Sequence, residues 1–75
     1  MEIPHKLDFY LSAFYRLANG GHQQDYHNPT YNITWKRIKE NRDSQWTNSF
    51  SIEALPGKTF DKFEQLQEAM RNVEN

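Results

Sequence analysis

The most regular alternation of apolar and polar residues along the chain falls between Tyr31 and Ala54. Tyr31, Ile33 and Trp35 occupy odd positions, while Trp46, Phe50, Ile52 and Ala54 occupy even ones with Thr47, Ser49, Ser51 and Glu53 between them. Successive strand side chains point to opposite faces, so both stretches read as strands with one apolar face. They are expected over residues 31–39 and 45–54, joined by a turn at Glu40-Asn41-Arg42-Asp43, where Asn and Asp can hydrogen-bond their own backbone. That turn sets Ile33 opposite Phe50, Tyr31 opposite Ile52 and Trp35 diagonal to Trp46. A slip by one residue would send the two apolar sets to opposite faces.

Two other stretches follow a helical period. In residues 61–73, Asp61 and Glu64 have the spacing of a capping box, and Phe63, Leu66, Ala69, Met70 and Val73 form one stripe. This leaves Gln65, Gln67, Glu68, Arg71 and Asn72 to solvent. In residues 4–18, Pro4 suits a first helical position, and Ile3, Leu7, Tyr10, Leu11, Phe14, Leu17 and Ala18 recur at helical spacing. Asn19-Gly20-Gly21 supplies residues that end a helix in the left-handed conformation. Residues 19–30 show no period and read as a polar loop. The expected architecture is one small α+β domain over residues 1–75. It has an N-terminal helix, an antiparallel β-hairpin with room for a short third strand between Leu55 and Phe60, and a C-terminal helix packed on the sheet.

Composition narrows what such a domain can do. The chain has 75 residues, of which 36% are hydrophobic and 15% aromatic, so burial must rest on a few large rings. A net charge of -1 suits neither a strongly basic nucleic-acid binder nor an acidic mimic of nucleic acid. No cysteine is present, which fits a reducing compartment. No apolar run is long enough to span a bilayer, and no secretion signal is visible at the N-terminus. The expectation is a cytoplasmic, intracellular protein, in which Asn32-Ile33-Thr34 is an accidental glycosylation sequon.

Catalytic chemistry has little to build on. Ser12, Ser44, Ser49 and Ser51 lack a nucleophile-elbow context, no glycine-rich phosphate cradle occurs, and Asp61 with Glu64 is accounted for by helix capping. His22, Asp25 and His27 are metal-ligating types, but three ligands in one loop fall short of a structural zinc set. The expectation is a non-enzyme without metal or cofactor.

Binding chemistry is better represented. Tyr, Trp and Arg dominate interface hot spots, which makes Tyr26, Tyr31, Trp35, Arg37 and Trp46 the candidate protein contacts. The alternation equally allows Trp35 and Trp46 to close the hairpin core. Lys36, Arg37, Lys39 and Arg42 gather four cations next to aromatic residues, a pattern that could follow a phosphate backbone. Residues 31–58 hold five Lys/Arg against three Asp/Glu, and residues 59–75 hold two against four, so the excess positive charge lies in the hairpin.

The order of a helix, Pro29-Thr30-Tyr31 entering a strand, a strand ending Phe50-Ser51-Ile52-Glu53, and a helix with Ala69 near its end resembles the double-stranded-RNA-binding domain in outline. That family opens its last helix with a lysine-rich stretch. Here the corresponding stretch is Lys58-Thr59-Phe60-Asp61-Lys62-Phe63-Glu64, and the resemblance carries no site residues over.

The function expected from these features is a small non-enzymatic protein-interaction module. It would be a regulator or inhibitor of the kind encoded by phages and mobile elements, binding a host protein complex. The alternative is a nucleic-acid-binding module using Lys36, Arg37, Lys39 and Arg42. A two-stranded sheet leaves unpaired edges, so a homodimer through a sheet edge is a further expectation.

Overall fold

The computed structural model describes residues 2–73. It is an α+β fold in which four strands, β1 (Tyr10–Arg16), β2 (Gly20–Asn28), β3 (Ile33–Asn41) and β4 (Thr47–Ile52), precede one helix, α1 (Phe63–Val73). The strands form one antiparallel meander in the order β1-β2-β3-β4. The molecule is elongated, measuring 46 × 22 × 19 Å.

Residues 4–18 form no helix; β1 lies there instead, and its helix-like spacing traces to one residue. The register of β1 against β2 shifts between Leu11 and Ala13, leaving Ser12 as an extra residue. A bulge of this kind breaks the period of two. It places Leu11, opposite Tyr26, and Phe14, opposite Gln24, on the same face of the sheet. Their spacing of three therefore imitates a helical repeat.

Residues 19–30 are likewise not a loop. Asn19 and Gly20 have φ of 62° and 79°, and the Gly21 amide donates to the Ala18 carbonyl at 3.3 Å. Positive φ at both central residues is the pattern of a two-residue hairpin turn, for which Asn-Gly is the favoured pair. Gly21 then lies so close to β3 that a Cβ there would collide with the Lys39 and Glu40 carbonyls.

The β3–β4 hairpin forms with its apolar sets on one face, as expected, but in a register shifted by two residues. Ile33 faces Ile52 and Trp35 faces Phe50. β3 runs on to Asn41, whose side chain accepts the Asp43 amide at 2.9 Å, so the turn lies further along the chain. A shift of two preserves the face of every side chain. Instead of a third hairpin strand, the segment after β4 makes a single bridge. Phe50 and Phe60 exchange backbone hydrogen bonds of 2.7 and 2.8 Å.

The core sits at one end of the sheet. Ile33, Ile52, Leu66 and Met70 are buried, joined by Ile3 from the N-terminal arm and flanked by Leu7, Phe9, Tyr31, Phe50, Leu55, Phe60 and Phe63. α1 supplies Leu66 and Met70 as the stripe requires, but Val73 stays exposed and Gln67 is buried. The Gln67 amide donates to the Ile3 carbonyl at 2.8 Å, fastening the arm to the helix. Asn28 performs a similar task at the end of β2, donating to the Asp8 carbonyl and accepting the Tyr31 amide, both at 2.9 Å. The buried Asn28 and Gln67 side chains are thus paired, as burial without a partner would be costly, whereas His22 Nδ1 is buried without a hydrogen-bond partner. At the start of α1, Gln65 rather than Glu64 reaches back, accepting the Asp61 and Lys62 amides at 3.1 and 3.4 Å. With strands where the N-terminal helix was expected, the order differs from that of the double-stranded-RNA-binding domain.

Candidate interaction surface

The pairings sort the strand residues into two faces, because cross-strand partners share a face and sequence neighbours do not. On the face that carries the core, successive rows cross the sheet. Asn28, Ile33 and Ile52 form the row under α1, followed by Leu11, Tyr26, Trp35 and Phe50. Then come Phe14, Gln24, Arg37 and Asn48, and finally Arg16, His22 and Lys39. This face therefore changes along the strands from aliphatic to aromatic to cationic. None of these strand residues is acidic. The opposite face is mixed, with Asp25 opposite Lys36, Tyr10 opposite His27 and Tyr15 opposite Gln23.

A continuous stack links the covered end to the open end. Phe63 of α1 meets Phe9 and Phe50 at 6.5 and 5.7 Å between ring centres, and Phe9 meets Trp35 edge-on at 5.6 Å. Trp35 then lies between Phe50 at 5.8 Å and Tyr26 at 4.9 Å, with interplanar angles of 9° and 28°. Both faces of the indole are thus occupied by neighbouring rings. Its Nε1 donates to Asn48 Oδ1 at 3.0 Å, and the Tyr26 hydroxyl donates to Gln24 Oε1 at 3.1 Å.

Arg37 closes the row beyond. Its guanidinium carbon lies 4.4 Å from the Trp46 ring centre and 5.6 Å from that of Trp35, and Nη1 donates to Gln24 Oε1 at 3.3 Å. The cation is therefore held over two rings, each contact of a kind that contributes about 0.5–1 kcal/mol at a partly exposed site. A side chain so restrained presents its charge at a fixed place, lowering the ordering cost when a partner binds.

Of the residues expected to contact protein, Tyr26, Trp35, Arg37 and Trp46 converge in this one cluster. Tyr31 does not join them, since it packs against the core beside Ile33 and Ile52. The basic cluster Lys36, Arg37, Lys39 and Arg42 is divided: alternation sends Lys36 to the opposite face, while Arg37 and Lys39 share theirs with Arg16 and His22. Arg42 lies past the end of β3, next to Gly20. His22 is separated by the sheet from Asp25 and His27, and no group of His, Cys, Asp or Glu able to hold a metal occurs among the described residues.

The residues that the sequence did not single out belong to β1. Among the described residues, and apart from Val73, the exposed large hydrophobic side chains are Tyr10, Leu11, Phe14 and Tyr15 of β1 and Leu17 just past its end, with Tyr10 at 61% and Leu11 at 56% exposure. β1 is an edge strand, so beside these side chains runs a row of main-chain groups with no strand on its outer side. The usable signal was Asn19-Gly20, which marks a hairpin and makes the preceding residues its first strand. No helix among the described residues is long and apolar enough to cross a membrane. No protein-family model matches the chain, and no match is found among curated proteins or solved structures.

Proposed function

We propose that this protein is a non-enzymatic interaction module whose binding surface is the open end of the core-bearing face, centred on Tyr26, Trp35, Arg37 and Trp46. The observation that carries this reading is the Arg37 guanidinium held over Trp35 and Trp46 on a face whose strand residues include no carboxylate. A restrained arginine between aromatic rings is typical hot-spot chemistry, and the cations Arg16 and Lys39 in the row beyond it favour an acidic protein surface. In its biological setting such a module acts as a small regulator or inhibitor of a host protein complex, of the kind that phages and mobile elements encode.

The cationic row also supports a second reading, in which the partner is a nucleic acid held through phosphates. Base stacking, the usual complement to phosphate contacts on single strands, is opposed by the rings already enclosing Trp35. Affinity capture from a lysate of the source cells separates the readings, using wild type and an Arg37→Ala/Trp46→Ala variant, each with and without nuclease. The protein reading expects a defined set of proteins, retained after nuclease and lost with the variant. Material released by nuclease supports the nucleic-acid reading, and identical capture by both proteins overturns the assignment of this surface.

A further inference from the structure

The two edges of the sheet are finished differently. β4 is shielded on its outer side by the Phe60 bridge, whereas β1 has no strand beyond it. Soluble proteins usually blunt an open edge with charge, proline or a covering segment. β1, Tyr-Leu-Ser-Ala-Phe-Tyr-Arg, has no proline and carries one charge, at Arg16. Its apolar side chains protrude on both faces, Leu11 and Phe14 on the core-bearing one, Tyr10 and Tyr15 on the other.

We infer that β1 pairs antiparallel with β1 of a second copy about a two-fold axis at Ala13, forming a continuous eight-stranded sheet. This edge adjoins the Arg37 cluster and shares Arg16 with the row beyond it, but the inference does not rest on the partner proposed above. Two features select a second copy as the occupant. The first is self-complementarity. With Ser12 bulged on this side as it is toward β2, the alternation of faces sets Tyr10 opposite Tyr15 of the second copy. It likewise sets Leu11 opposite Phe14 and Ala13 opposite Ala13, every pair sharing a face. The second is charge. The segment has Asp8 before its start and Arg16 at its end, so antiparallel pairing brings Arg16 beside Phe9 and Asp8 of the other copy and keeps the two Arg16 side chains apart. Parallel pairing would set arginine against arginine. The net charge of -1 leaves little repulsion between copies.

The size of the contact sets its strength. An aromatic side chain buries about 150–250 Å² when fully enclosed, so the half-exposed side chains of β1 offer on the order of 300–400 Å² per copy. That total lies below the ~1,200 Å² at which stable interfaces begin, so the dimer is concentration-dependent.

The absence of cysteine from the sequence makes the test clean. Opposed Cα atoms in an antiparallel pair lie ~4.5–5.5 Å apart, within the span of a disulfide. Ala13→Cys oxidised under mild conditions is expected to give a covalent dimer at least tenfold faster than Ala54→Cys, an exposed control. Sedimentation of the cysteine-free chain is expected to show dimer dissociating on dilution. Tyr10→Lys/Tyr15→Lys sets lysine against lysine and is expected to be monomeric, while Tyr10→Lys/Tyr15→Glu sets opposite charges in the same register and is expected to retain the dimer. Both positions are exposed, so circular dichroism should show all variants folded. Equal cross-linking of Ala13→Cys and Ala54→Cys, a wild-type chain monomeric at several hundred micromolar, or a lysine double variant that associates like wild type would each overturn the inference.

Discussion

The two ends of the sheet are built from different residue types and are covered to different extents. At the end under α1, aliphatic side chains of Ile33, Ile52, Leu66 and Met70 meet with almost no exposure, and Gln67 and Asn28 pair the polar groups buried with them. At the other end, rings stack on rings and on a guanidinium, and Tyr26, Trp35, Arg37 and Trp46 are only partly buried. The difference shows that aromatic content in a small domain need not be core. Here Ile, Leu and Met side chains close the interior, and much of the aromatic surface is only partly buried or exposed.

The contrast can be broken most severely at the covered end. Leu66 is fully buried, and Leu66→Ala is expected to cost about 2–5 kcal/mol. A single core of this size supplies about 3–5 kcal/mol in total. Urea unfolding should therefore find the variant largely unfolded in dilute buffer. Gln67→Ala removes the donor that holds the Ile3 carbonyl and is expected to cost about 1–3 kcal/mol, read as a lower urea midpoint. At the open end, Arg37→Ala is expected to lower stability by about 0.5–1 kcal/mol while reducing affinity for the partner at least tenfold, measured by calorimetric titration once the partner is in hand. Tyr15→Lys is expected to change stability by less than about 0.5 kcal/mol, because the side chain is half exposed, and to register only in self-association by sedimentation. Equal destabilisation by Leu66→Ala and Arg37→Ala would erase the distinction between the two ends.

What the sequence disclosed follows from which local rules were obeyed. The β3–β4 pair and α1 were legible because their apolar residues keep periods of two and about 3.6, and even the two-residue error in register left every face correct. β1 was misread as helix because the extra Ser12 gives Leu11 and Phe14 a helical spacing. β2 was misread as loop because Gly-Gly-His-Gln-Gln-Asp-Tyr-His-Asn has little apolar alternation. Its strand character comes from pairing on both sides, a long-range property that local propensity does not carry. Tyr26, Trp35, Arg37 and Trp46 were singled out as candidate contacts by residue type alone. Their convergence depends on β2 lying beside β3, which no period in the sequence announces.

The central claim, that stability resides at the covered end and the open end is kept for contact, is tested most directly by site-resolved amide hydrogen exchange of the protein under native conditions. Along the same β2–β3 ladder, amides near Asn28 and Ile33 are predicted to exchange only through global unfolding, and those near His22 and Lys39 through local openings of distinctly lower free energy. Uniform protection along the ladder would contradict the account.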